Sequence, residues 1–159
     1  MHINKDLART RAEFEVLLRV ADKLHIVQDR WGGRQHYLRW ENPVTWQIWD
    51  EVGLDYDATL GFADHVGFRC GTCREFPVFD LKARKSLRLH ERPLIVMDGT
   101  LLAPQYMALQ PEQALGWIEH LSNVCCCFGG TFSLLWHNTS LIERWQRELY
   151  LEALGVVVR

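Results

Sequence analysis

Apolar residues recur at helical spacing from residue 5 to about residue 24, where Leu7, Phe14, Leu17, Leu18 and Ala21 fall among alternating charges. This spacing predicts an amphipathic helix with one buried stripe. A glycine pair, Gly32-Gly33, then precedes a short mixed segment, residues 34–40, that reads as a strand with polar side chains on one face. A second helix is well punctuated: Asn42 as N-cap, Pro43 at the first helical position, the apolar residues Trp46, Ile48, Trp49 and Val52, and Gly53 placed to end it in a left-handed conformation. Residues 54–79 read as loop-rich, with short strand candidates Ala58-Thr59-Leu60 and Val66-Gly67-Phe68-Arg69 between turn residues.

Further on, Pro93-Leu94-Ile95-Val96-Met97 is a continuous apolar run stopped by Asp98-Gly99, the pattern of a strand covered on both faces in a parallel sheet. A helix is expected from Pro111, with Ala114, Leu115, Trp117, Ile118, Leu121 and Val124 as its stripe and Gly129-Gly130 beyond its end. Residues 131–137 read as a last buried strand. It leads into a helix bearing Leu141, Ile142, Trp145 and Leu149, with Ser140 and Glu143 as a capping box. Strands alternating with helices point to an α/β fold with a parallel sheet. With no repeat, low-complexity stretch or linker to divide it, residues 1–159 are expected to form a single domain.

Composition narrows the function classes. Of 159 residues, 48% are hydrophobic and 11% aromatic, and the net charge is −2, which excludes a disordered chain and a basic nucleic-acid module. No apolar run approaches the roughly 20 residues of a membrane helix, and residues 1–6 carry no signal-peptide core, so a cytoplasmic location is expected. Five cysteines, three of them adjacent at Cys125, Cys126 and Cys127, do not form a secreted disulfide framework.

In a parallel α/β sheet the working residues gather at the carboxyl ends of strands. That rule selects His137, which closes an apolar strand and is available for proton transfer near neutrality, the alternative being a helix-capping or core histidine. It also selects Asp98, which could orient an arginine, bind a metal or only open the Asp98-Gly99 turn. Arg34 and His36, two apart on one strand, would share a face and could polarise a carbonyl or hold an anion. Cys70-Gly71-Thr72-Cys73 has the spacing of a redox pair or half a zinc site, against which stands a purely structural reading. Asn138-Thr139-Ser140 matches a glycosylation acceptor and is read as chance.

Four segments in order carry a resemblance: Arg34-Gln35-His36-Tyr37-Leu38-Arg39-Trp40; Gly61-Phe62-Ala63-Asp64-His65-Val66-Gly67-Phe68-Arg69-Cys70-Gly71-Thr72-Cys73; Pro93-Leu94-Ile95-Val96-Met97-Asp98-Gly99-Thr100-Leu101; and Leu134-Leu135-Trp136-His137-Asn138. Together they resemble the C-terminal half of a polysaccharide deacetylase-like protein, a carbohydrate esterase built on an irregular β/α barrel, over residues 34–154. The resemblance implies a divalent metal, commonly zinc, that activates water against an acetyl carbonyl while a histidine on a late strand protonates the departing amine. Leu135-Trp136-His137 resembles that histidine segment, and Arg34, with Arg69 as a competitor, resembles the arginine that positions the reacting groups.

The resemblance therefore implies His137, Arg34 and Asp98 as catalytic residues, with His36, Arg69 and Trp136 against a carbohydrate substrate. No aspartate-bearing strand or paired-histidine motif precedes Arg34, so the metal ligands are expected to lie upstream of this chain. A full barrel takes about 250 residues, and the expected fold is a partial (β/α) barrel lacking its N-terminal strands. Its open sheet edges would favour a homo-oligomer or a complementing chain, and the chain alone is expected to be inactive. The alternative reading is a non-catalytic carbohydrate-binding or assembly subunit that stacks sugars on Trp31, Trp40, Trp46, Trp49 and Trp136, without nucleic acid or membrane as partner.

Overall fold

In a computed structural model of the chain, which describes residues 6–157, the first helix, α1, spans Leu7–Lys23. The Asp6 side chain caps it by accepting from the Arg9 amide at 3.0 Å. Its stripe is shallower than the spacing predicts: Thr10 and Ala21 are buried, whereas Leu17 and Leu18 remain 44% and 37% exposed. β1 is only Gly32–Gly33, and His36–Leu38 form a 3₁₀ turn in which Tyr37 and Leu38 take positive φ, 58° and 51°. The expected strand over residues 34–40 is thereby corrected, and Arg34 and His36 do not share a strand face.

α2 spans Val44–Val52 and ends at Gly53 in the left-handed region, φ 96°, as its glycine predicts. Its start differs, since Pro43 rather than Asn42 stands at the cap and follows a cis Asn42–Pro43 bond. β2 is Tyr56–Asp57, β3 Phe76–Asp80 and β4 Lys85–Glu91. These strands form a mixed sheet in the order β1-β2-β4-β3, parallel except for the antiparallel β3–β4 hairpin. The carboxylate of Asp80 accepts from the Lys82 and Ala83 amides at 2.8 and 2.9 Å, which shapes the hairpin turn. Alternation along β4 buries Leu87, Leu89 and Glu91 on one face. α2 covers the sheet with Trp46, Ile48 and Trp49, and α1 packs on α2. Each fully buried side chain of this kind contributes roughly 1.5–3 kcal/mol.

These elements make one compact unit, the described residues up to Thr59 with Phe76–Arg92. Leu60–Glu75 and the described residues from Pro93 onward make a second. In the second unit β5, Val96–Met97, leads directly into α3, Asp98–Leu102. α4, Pro111–Cys127, begins at the expected proline and carries a reciprocal capping box between Gln110 and Gln113. β6, Leu134–Leu135, pairs parallel with β5, and α5, Arg144–Val157, closes the unit after a 3₁₀ turn over Asn138–Leu141. That turn replaces the expected helix start at Ser140.

The core of the second unit gathers Ile95, Val96 and Leu101 with Ile118 and Leu121 of α4 and Leu149 and Ala153 of α5. Trp117 and Trp145, expected inside, stand 42% and 45% exposed. Residues 58–60 and 66–69 are loop rather than strand, although the Leu94 and Gly67 amides bond to the Leu60 and Ile95 carbonyls. Among the described residues the fold is thus mixed α/β with five helices and two small sheets, and no barrel closes. No helix among them is long and apolar enough to cross a membrane.

Candidate functional site

Parallel pairing of β5 with β6 sets Val96 opposite Leu134 and Met97 opposite Leu135, so the chain leaves both strands at the same end. Asp98 is the first residue past β5 and His137 the second past β6. There the Asp98 Oδ1 and the His137 Nδ1 lie 2.6 Å apart, and the His137 backbone amide donates to Asp98 Oδ2 at 3.0 Å. The carboxylate is wholly buried while the imidazole side chain is 45% exposed. An ionised carboxylate only accepts, so the pair assigns the ring hydrogen to Nδ1 and leaves Nε2 as the basic atom. A buried acid orienting an exposed imidazole is a proton-transfer arrangement, because it fixes both the tautomer and the direction of the ring.

The other expected residues of this unit make contacts within it. Arg69 is exposed and its Nη1 donates to the Gly61 carbonyl at 2.8 Å. The Trp136 indole donates to the Ser140 carbonyl at 3.3 Å and sits 5.2 Å from the Tyr150 ring.

Arg34 and His36 belong to the first unit. His36 is exposed and stacks on Tyr37, with centroids 4.2 Å apart. Arg34 follows β1 and donates from Nε to the Ala58 carbonyl at 2.7 Å. Burial pushes its guanidinium below its ordinary value, opposed by the charges of Asp57 and Glu91. Those carboxylates end β2 and β4, are partners in the sheet register and are both fully buried.

The Trp46 indole donates to Glu91 Oε2 at 3.2 Å. Asp57 Oδ1 accepts from the Thr59 amide at 2.9 Å and from the Thr59 hydroxyl, while Oδ2 has no partner at hydrogen-bonding geometry. Burial pushes the Asp57 carboxyl up to about 6; the Thr59 donors, the Trp46 indole and the Arg34 charge act in the opposite direction. Sequence reasoning missed this acid pair. A period-two count through Leu87 and Leu89 puts Glu91 on their buried face, and that signal was available.

Trp46 and Trp49 are buried beneath the sheet, which removes them as stacking platforms for a sugar. Among the described residues no three His, Cys, Asp or Glu side chains come together as metal ligands. The described residues thus supply no ligand set of their own for the metal that the resemblance implies. No family model, curated protein or solved structure matches the chain.

Proposed function

We propose that this chain is the C-terminal portion of a polysaccharide deacetylase-like carbohydrate esterase, a part of an irregular β/α barrel, in which His137 is the acid of acetyl hydrolysis. The observation that carries the reading is the pairing of His137 with buried Asp98 at the carboxyl ends of two adjacent parallel strands. In that role the ring delivers a proton from Nε2 to the departing amine, and Asp98 stabilises the imidazolium and keeps it from turning. Trp136, next to His137, is the residue nearest in sequence for contact with a sugar ring. A divalent metal, zinc among them, would supply activation of water in such an enzyme.

The test uses an oligomer of N-acetylglucosamine as probe, with zinc supplied. Saturable movement of the His137 ring signals in NMR on titration is expected, and any acetate release is expected to fall at least about 100-fold in His137→Ala, the usual scale for a general acid. Ring signals that stay still at millimolar oligomer, or acetate release unaffected by His137→Ala, would overturn the reading.

A further inference from the structure

The spacing of Cys70-Gly71-Thr72-Cys73 suggests that Cys73 has Cys70 as its partner, but the fold of the second unit supplies another. Cys73 and Cys125 are 6% and 1% exposed and belong to one core cluster. The backbone brings them together independently. The Thr131 amide donates to the Cys73 carbonyl and the Gly130 amide to the Cys125 carbonyl, each at 2.8 Å, so two successive residues hold both cysteines. Gly130 is required there: a Cβ on it would fall 2.2 Å from Cys73 Sγ.

A cavity of about 300 Å³ opens onto Cys73 between Phe68, Val124 and Phe128. Arg74 closes one side, its Nε and Nη2 donating to the Phe128 carbonyl at 3.1 and 2.6 Å, which ties the loop to the end of α4. Cys125 does not line this cavity, so a small molecule reaches Cys73 first.

We propose that Cys73 and Cys125 are a thiol–disulfide redox site, oxidised by a small peroxide that enters through this cavity. The Cys73 sulfur attacks one peroxide oxygen, the O–O bond breaks and water leaves, which gives a sulfenic acid at Cys73. The Cys125 sulfur then attacks Cys73, its proton goes to the departing hydroxyl as a second water, and the S–S bond forms. Two thiols and one hydrogen peroxide thus become one disulfide and two waters, and an external thiol reverses the change. Burial and the neighbouring Cys73 push the Cys125 thiol up to about 12. The bond would pin the loop carrying Cys73 to the end of α4.

The experiment uses the full chain with the exposed pair replaced, Cys126→Ser and Cys127→Ser, to remove competing thiols. After millimolar hydrogen peroxide the protein is unfolded, alkylated and mapped by peptide mass spectrometry. The expected result is a Cys73–Cys125 cross-linked peptide, lost with dithiothreitol, and a melting midpoint raised by roughly 5 °C. Adding Cys125→Ala is expected to abolish the cross-link and leave Cys73 as its sulfenic or sulfinic acid. A link between Cys70 and Cys73, or full alkylation of Cys73 and Cys125 after peroxide, would overturn the proposal.

Discussion

Asp57 in the first unit and Asp98 in the second are both wholly buried at the carboxyl end of a parallel strand, yet their oxygens are served differently. Both oxygens of Asp98 accept from His137, one from the ring and one from the backbone. Asp57 spends one oxygen on Thr59 and leaves the other without a partner, beside a second buried carboxylate. The contrast teaches that the place in the fold does not decide what a buried acid does; its donors decide. One acid orients an imidazole, and the other resists ionisation.

The largest effect concerns Asp57. Its native carboxyl is raised from 3.8 to about 6, so between those values the native state holds a proton that the unfolded chain has released. The stabilisation is complete below about pH 4 and is lost as pH rises through 6. A shift of about two units corresponds to roughly 3 kcal/mol. Urea denaturation of wild type and Asp57→Asn at pH 4, 5, 6 and 7 is expected to show wild type losing about that much relative to the variant; a pH-independent difference would erase the contrast.

Asp98→Ala comes next. It strands a buried amide and an imidazole nitrogen, and because the ring regains water the cost is about 2 kcal/mol, measured as a lower urea midpoint. Two controls sharpen the comparison. Gly53→Ala places a side chain at φ 96° in open space, so it is expected to cost about 1 kcal/mol while leaving the Asp57 pH dependence intact. Gln110→Ala removes half of the capping box of α4 and is expected to cost about 0.5 kcal/mol without altering the His137 tautomer.

Much of the frame was legible because local chemistry marks it. Gly53 ends α2 and Pro111 opens α4 as their backbone preferences require, and of the apolar run before Asp98 the last two residues, Val96 and Met97, form a strand. Legibility failed where tertiary contacts override local pattern. Tyr37 and Leu38 adopt positive φ that no residue preference foretells, and this turned an expected strand into a turn. Asp98 and His137 were each legible as strand-end residues, but their contact depends on β5 lying beside β6, and nothing in either segment states that pairing. Glu91 and Asp57 meet through register alone, and Cys73 meets Cys125 across 52 positions of sequence that spacing rules do not bridge.

The most direct measurement of the central claim is the tautomer of His137, read from long-range ¹H–¹⁵N NMR of histidine-labelled protein at pH 9. Hydrogen on Nδ1 and a bare Nε2 are expected in wild type, with loss of that preference in Asp98→Asn. Hydrogen on Nε2 in wild type, or a tautomer unchanged by Asp98→Asn, would contradict it.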